Sequence, residues 1–275
     1  MSWPNLTKLV KGTDWSFWQN FGAGQDHRPA DPAEFVEKNP EIDVYWIRGV
    51  WPNGVIDRHF RHYYDGFLNA GKKVAVYLWP NPTKPIQETA DKWLFALDGR
   101  EPVAVGIDAE LAWYQTPAVL TRNIRESLNK ACKIFPKATV VPYTRASWWD
   151  RYILPGWEGA WEFWLAHYPS VVYDTTRGQW RQAFSFTEMD KCLPIDNNFT
   201  PYLGRTLQIR QVIGWQCSEK GRLDGNPTKS LDLDYYLLNW VNSTWDIPTP
   251  PPQQAEVKIR VEKSGAVNVI VENVR

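Results

Sequence analysis

The chain has 275 residues, 43% of them hydrophobic, which suits one large domain or one domain with a small appendage. The 31 basic and 31 acidic residues give no net charge, and no basic stripe is present, so a nucleic-acid partner is not expected. No apolar run approaches the ~18 residues that span a bilayer, so membrane insertion is not expected either. The N-terminus lacks the apolar segment of a secretory signal, which predicts a protein made in the cytoplasm without a signal peptide.

Aromatic residues are frequent, and cysteines are few. The chain holds 17 tryptophans, 12 tyrosines and 11 phenylalanines, and such rings both pack in cores and stack on sugar faces, which favours a carbohydrate ligand. The three cysteines are widely spaced and predict neither a disulfide framework nor a metal site. The four histidines show no metal-ligand spacing, and no serine lies in a Gly-x-Ser-x-Gly elbow. We therefore expect no metal and no serine-hydrolase triad.

Strand and helix signals alternate from residue 11 to residue 242. The predicted strands cover residues 11–17, 44–50, 73–79, 103–110, 138–144, 163–168, 207–216 and 230–236. One predicted helix begins at residue 31, and the others cover residues 59–70, 86–97, 117–135, 147–153 and 235–242. Eight strands alternating with helices predict an α/β fold of the (β/α)8-barrel type, regular or irregular. An open, doubly wound parallel sheet is the alternative.

The regions outside this alternation divide the chain further. Residues 169–206 are too long for an ordinary connection and are interpreted as an insertion in a barrel domain of residues 1–246. Residues 247–254 are proline-rich and predict a stiff, extended linker. In residues 255–275, valine and isoleucine alternate with polar residues on both sides of a Lys-Ser-Gly-Ala turn, which predicts a β-hairpin. An isolated hairpin is only marginally stable, so we expect it to dock on the barrel, on another copy or on a partner such as a particle.

The stretch 103–110 carries the strongest chemical signal. It begins as a buried strand and ends in Asp108 and Glu110, whose side chains point the same way because they lie two residues apart. Two like charges that close cannot both ionise cheaply, so one carboxyl becomes a proton donor near neutral pH. Asp14 and Asp232 also lie near predicted strand ends, where barrels carry their chemistry. The alternative is an ordinary surface pair of acids at a strand-to-loop junction.

Several motifs then resemble one family in their order and spacing. They are Asp14-x-Ser16-x-x-Gln19, Asp108-Ala109-Glu110, Tyr143-Thr144-Arg145 before Trp148-Trp149, Trp164-Leu165-Ala166-His167-Tyr168, and Trp215-Gln216 before Leu231-Asp232-Leu233-Asp234. On these residues, between about positions 10 and 240, the chain resembles the glycoside hydrolase family 25 lysozymes, which cleave peptidoglycan.

The resemblance implies roles for the four acids. Glu110 would be the general acid that protonates the leaving glycosidic oxygen. Asp108 would assist at the anomeric centre, as a base or by orienting the substrate's acetamido group. Asp14 and Asp232 would complete an acidic ring, although Asp234 shares a face with Asp232 and is an alternative to it. The term acidic ring is used below for Asp14, Asp108, Glu110 and Asp232.

The resemblance also implies a substrate, and residues to bind it. The substrate would be the glycan strands of peptidoglycan, cleaved at the β-1,4 bond between N-acetylmuramic acid and N-acetylglucosamine without a metal or organic cofactor. The residues implied to line the groove are Tyr77, Trp79, Tyr143, Trp164, Tyr168 and Gln216. Inward-facing aromatic residues of a barrel can instead be pure core. One departure is the third strand, which reads Tyr77-Leu78-Trp79 where the family often has Tyr-His-Phe.

Two functions of different classes follow. The first is an active muramidase, associated with a phage or a bacterium, that acts on the cell wall after release or as part of a particle. The second is a non-catalytic glycan-binding or structural barrel within a virion or cell-surface assembly. Presence of all four acids favours the first, since a binding module needs no proton donor. Retention, inversion and substrate-assisted attack all stay open, because they depend on distances between carboxyls.

Overall fold

The structure is a computed structural model that describes residues 8–21, 28–192, 203–228, 230–245, 257–261 and 267–271. For the last two segments, and for Phe21, Cys192 and Ile209, only the backbone is described. The predicted linker, part of the predicted insertion and the N-terminal segment examined for a signal lie outside these residues. The chain divides into two compact units, Met1–Trp245 and Asp246–Arg275, which are described separately.

The first unit contains twelve described strands and seven described helices. The strands are β1 Leu9–Trp15, β2 Asn20–Phe21, β3 Arg28–Pro29, β4 Ile42–Val50, β5 Lys73–Leu78, β6 Ala104–Asp108, β7 Thr139–Thr144, β8 Phe163–Ala166, β9 Val172–Asp174, β10 Gln179–Arg181, β11 Val212–Ser218 and β12 Leu233–Leu237. The helices are α1 Pro32–Lys38, α2 Phe60–Asn69, α3 Ile86–Leu97, α4 Pro117–Ile134, α5 Ala146–Tyr152, α6 Phe186–Cys192 and α7 Leu238–Trp245. No helix among the described residues is long and apolar enough to cross a membrane.

Eight of the strands close into a barrel in the order β1-β12-β11-β8-β7-β6-β5-β4. Each neighbouring pair from β1 through β4, β5, β6, β7 and β8 to β11 is parallel, whereas β12 runs antiparallel to both β1 and β11. The predicted barrel is confirmed, in its irregular form, and the open doubly wound sheet is wrong. The mouth is defined here as the end at which the seven parallel strands terminate.

Alternation along the strands separates two cores. Outward residues pack under the helices, as where Tyr45 of β4 stacks on Phe67 of α2 with ring centroids 4.0 Å apart. Inward residues fill the barrel with rings, and Trp46 stacks on Trp164 at 4.8 Å. The barrel interior is therefore packed, and chemistry is confined to the mouth.

Glycines on two strands make room for one of these rings. Tyr236 lies on β12 between β1 and β11, and a Cβ added at Gly12 of β1 or at Gly214 of β11 would lie 2.6 Å from its ring. A contact that short is not tolerated between carbon atoms, so both flanking strands need glycine at these positions. The position of the antiparallel strand β12 is thus fixed by the ring of Tyr236 and by the glycines that face it on the two flanking strands.

Some predicted elements need correction. The insertion contains the hairpin β9–β10 and helix α6, joined by Arg181 Nη2, which lies 2.8 Å from Glu188 Oε1. The predicted strand 207–216 begins only at Val212, after a 3-10 turn over Ile209–Gln211. The last helix starts at Leu238 rather than at residue 235, because Tyr235 and Tyr236 pair with β1 and β11. Pairing in the barrel overrides local helical preference there.

The second unit contains a two-stranded antiparallel hairpin, as predicted. Its strands are β13 Val257–Val261 and β14 Val267–Val271. The register pairs Val257 with Val271, Ile259 with Val269, and Val261 with Val267. These three pairs are apolar on both strands, whereas Ile270 lies opposite Lys258. What this hairpin docks on stays a prediction.

Candidate active site

The four members of the acidic ring lie at or next to the ends of three barrel strands, β1, β6 and β12, and interact with one another at the mouth. Asp14 lies near the end of β1, Asp108 ends β6, and Glu110 follows two residues later. The sequence predicts Asp232 near the end of a strand, whereas the structure places it directly before the start of β12. It still reaches the mouth, because β12 runs against its neighbours and begins where they end.

Asp14 and Asp232 share a hydrogen bond between their side chains. Both line a cavity of about 420 Å³ that opens at the mouth. Burial raises the pKa of each, and for Asp232 the neighbouring Asp14 raises it further. Two carboxyls in such contact cannot both ionise cheaply, so the pair favours a state in which they share one proton.

Asp108 and Glu110 lie in different surroundings although they are two residues apart. Asp108 is 4% exposed, and its Oδ1 has no hydrogen-bond partner among the described residues. Burial and then the charge of Glu110 raise the pKa of Asp108 well above its ordinary value. The Glu110 side chain is 20% exposed, and burial raises its pKa while the Arg145 guanidinium opposes that rise. Glu110 is thus the carboxyl of this pair that both favours the protonated form and can reach a ligand.

A chain of hydrogen bonds fixes Asp14. Gln216 Nε2 donates to Asp14 Oδ2 at 2.5 Å, and Tyr77 Oη donates to Asp14 Oδ1 at 3.4 Å. Tyr143 Oη donates to Gln216 Oε1 at 2.6 Å, and Tyr168 Oη donates to the same oxygen. Because the Gln216 amide uses both its donor and its acceptor, the carboxyl of Asp14 has one orientation. Tyr77, Tyr143, Tyr168 and Gln216 therefore lie together around Asp14, and that they line a substrate groove stays a prediction.

Other predicted residues lie deeper. Trp164 is 1% exposed and donates from Nε1 to Asp234 Oδ1 at 2.9 Å, so it supports the site from below and does not line a groove. Asp234 is fully buried, which leaves Asp232 as the acid of this strand that lines the cavity. Trp79 is partly buried against the inner core, and its backbone oxygen accepts a bond from Trp93 Nε1 at 3.2 Å.

Arg48 is a cation at the site that the sequence analysis did not identify. Its Cζ lies 4.1 Å from the ring centroid of Trp51 and 5.1 Å from that of Tyr77. Nε and Nη1 are buried and have no hydrogen-bond partner among the described residues. The guanidinium lowers the pKa of Asp14 and Asp108, against the larger effect of burial. Alternation from the inward Trp46 on β4 could have predicted that Arg48 also points inward.

The walls of the cavity hold further residues that the sequence analysis missed. Trp18 is 59% exposed and lines the cavity together with Asp14. Glu219 and Lys220 line the same cavity, and the charge of Glu219 acts on Asp232. Trp18 lies inside the Asp14-x-Ser16-x-x-Gln19 motif, and an exposed ring beside acids is a natural surface for a sugar face. Within the described ranges, no group of three or more His, Cys, Asp or Glu residues is arranged to hold a metal ion.

A closed α/β barrel with this set of carboxyls has the apparatus for acid–base cleavage of a glycosidic bond. Residues 49–192 match the family model described as glycosyl hydrolases family 25. The chain belongs to this family and is a glycoside hydrolase. The matched segment contains Asp108 and Glu110 as well as Tyr143 and Tyr168. No curated protein sequence matches the chain.

Solved structures share the fold at low sequence identity. A bacterial lysozyme from Streptomyces coelicolor is 17% identical, with a TM-score of 0.55 over 86% of this chain and 98% of that one. A family 25 glycosyl hydrolase from Bacillus anthracis is 14% identical, with a TM-score of 0.59 over 86% and 92%. The catalytic domain of endolysin ply40 from bacteriophage P40 of Listeria monocytogenes is 14% identical, with a TM-score of 0.54 over 86% and 97%.

Proposed function

We propose that the protein is a peptidoglycan hydrolase of the lysozyme type. It would cleave the β-1,4 bond between N-acetylmuramic acid and N-acetylglucosamine, with Glu110 as proton donor. The observation that carries this proposal is the partly exposed Glu110 carboxyl, which burial biases toward the protonated form, beside the buried Asp108. Family membership and the likeness to lysozyme and endolysin structures support the choice of peptidoglycan.

The residues suggest a division of labour in the reaction. Glu110 protonates the glycosidic oxygen as the bond to the anomeric carbon breaks, which leaves positive charge on the sugar ring. The carboxyl of Asp108, when ionised, stabilises that charge, activates a water molecule or orients the acetamido group of the sugar. Asp14, held by Gln216 and Tyr77, and Asp232, bonded to Asp14, bind hydroxyl groups of the glycan at the cavity. Proton donation by a positioned carboxyl contributes about 10²–10⁴-fold to such a rate.

The bond can be identified from the products. Purified peptidoglycan would be digested, the products reduced with borohydride, and the reduced sugar identified by mass spectrometry. Reduced muramic acid at the new ends is the expected result, whereas reduced glucosamine would assign cleavage to the other bond. Absence of new reducing ends on several wall types, with glycan still bound, would favour the non-catalytic binding barrel. Fresh products observed by NMR would give the anomer and hence retention or inversion.

The setting of the activity is also a proposal. The likeness to a phage endolysin domain supports an enzyme that reaches the wall after release from the cytoplasm or as part of a particle. Immunoblotting of purified particles and of the lysate from one infected or induced culture distinguishes the two routes. Protein confined to the lysate would favour release, and protein in washed particles would favour attachment.

A further inference from the structure

An exposed cation is paired with the proposed proton donor. Arg145 directly follows β7 and precedes helix α5, and its Nε donates to Glu110 Oε1 at 3.1 Å. Its side chain is 49% exposed, against 20% for Glu110. The Arg145 Cζ also lies 4.9 Å from the ring centroid of Tyr168, which is itself bonded to Gln216. The guanidinium is therefore held from two sides at the rim of the mouth.

This pairing works against proton donation. A general acid must carry its proton when substrate binds, but a guanidinium is always charged and stabilises the ionised carboxylate. Arg145 is the main group that opposes the rise in the pKa of Glu110, which burial causes and which Asp14 and Glu219 increase. Among the described residues, further titratable groups that interact with Glu110 are Asp108, Tyr143 and Tyr168.

We propose that Arg145 is a positioning residue that orients the Glu110 carboxyl and sets how much of the enzyme carries the catalytic proton at a given pH. Orientation follows from the hydrogen bond and from the ring of Tyr168, which together fix the guanidinium. Control of the proton follows from the permanent positive charge 3.1 Å from the carboxyl oxygen. The catalytic part of this inference rests on the proposed function, and the electrostatic part does not.

The test uses two substitutions and a matched control in the full-length protein. Arg145→Gln removes the charge and Arg145→Lys keeps it. The control is Arg151→Gln, which changes an exposed arginine of helix α5 whose guanidinium lies over the ring of Tyr152. The Glu110 carboxyl is titrated by NMR with ¹³C-labelled glutamate, its signal being assigned by its loss in Glu110→Gln. The kcat/KM for peptidoglycan is measured against pH with the same proteins, after circular dichroism has confirmed that each is folded.

The expected result is that only Arg145→Gln shifts the pH dependence of Glu110, and that it shifts it upward. In Arg145→Gln, the Glu110 titration and the alkaline limb of kcat/KM both move up by about one pH unit, the low end for a neighbouring opposite charge. Arg145→Lys and Arg151→Gln keep the wild-type midpoint. Coincident titrations of Arg145→Gln and wild type, or an equal shift in Arg145→Lys, would overturn the proposal. If the wild type cleaves no wall, the proposed function fails, while the titration still decides whether Arg145 controls the proton.

Discussion

Two carboxyls of nearly identical sequence context acquire different chemistry from their surroundings. Asp108 is enclosed by the barrel and faces Arg48, whereas Glu110 lies at the rim beside Arg145. Environment separates the roles of paired carboxyls in glycosidases; here burial raises the pKa of both, more strongly for Asp108, and exposure marks Glu110 as the one that can reach a ligand. The alternation of the strand predicted that both side chains point the same way, but not which of them is reachable. The latter depends on the loop and on the neighbouring strand.

Gln216 joins the two halves of the hydrogen-bond chain, and its loss has a predictable cost. Gln216→Leu removes the amide that bonds both Asp14 Oδ2 and Tyr143 Oη, and both of these groups are buried. We expect a loss of unfolding free energy of about 2–4 kcal/mol, since each buried unpaired group costs about 1–3 kcal/mol, and a fall in activity. Urea unfolding followed by tryptophan fluorescence checks the first. Gln208→Leu, at an exposed position, is the control, and equal stability of the two variants would contradict the chain as described.

Asp234 predicts an unusual dependence of stability on pH. Burial raises its pKa well above the ordinary value of 3.8, so the folded protein binds this proton more tightly than the unfolded chain does. The stabilisation from this group is fully present below pH 3.8, and it is lost as the pH rises from there toward the raised pKa of the folded protein. Asp234→Asn keeps the acceptor for Trp164 and removes the titration. The wild type should lose up to about 1.4 kcal/mol per pH unit more than this variant within that window.

The measurement is denaturant unfolding at a series of pH values from about 4 to about 8. Asp91→Asn, an exposed aspartate, is the control and should follow the wild-type slope. Parallel slopes for the wild type and Asp234→Asn would contradict the assignment. This residue also shows a limit of sequence reasoning: Asp232 and Asp234 share a face, and only their depth in the barrel tells them apart.

Among the elements, strand β12 decides how the site is completed. A strand's alternation of apolar and polar residues reads the same in either direction, so the sequence predicted an acid near a strand end but not that β12 runs antiparallel. The other strands alternate with helices, which fixes them as parallel. The long segment between β8 and β11 was recognised as an insertion, although its own hairpin and helix were not. Helix α6 packs on the core through Phe186 and Met189, and the Arg181–Glu188 ion pair, which has no periodic signal, joins it to β10.

Glycine at position 214 is a requirement of this arrangement. An alanine there would place its Cβ 2.6 Å from the Tyr236 ring and 3.1 Å from Trp164. Because both rings are buried in the interior, we expect Gly214→Ala to lower the unfolding free energy by about 1–3 kcal/mol, as overpacking does. Gly159→Ala is the control, since nothing lies within 4 Å of its Cβ position. Thermal unfolding of both variants checks this, and an unchanged midpoint for Gly214→Ala would contradict the packing around β12.

At the scale of the whole molecule, the second unit calls for a partner. Its valine-rich strands pair with each other in an antiparallel hairpin, and an isolated two-stranded hairpin is marginal in water. We predict that removal of residues 247–275 lowers the oligomeric state or abolishes attachment to a particle. Size-exclusion chromatography with light scattering of the full and shortened proteins measures the first effect. The same number of chains per assembly in both proteins, with attachment to the particle unchanged, would contradict a docking role.

The central claim is that Glu110 donates the proton that breaks a glycan bond. Its most direct test is the release of new reducing ends from purified peptidoglycan by the wild type and by Glu110→Gln, which keeps size and hydrogen bonding but removes the proton. Glu101→Gln, at an exposed glutamate paired with the exposed Lys137, is the matched control. We predict that Glu110→Gln loses about 10²–10⁴-fold in rate while Glu101→Gln keeps wild-type activity. Full activity of Glu110→Gln would contradict the account.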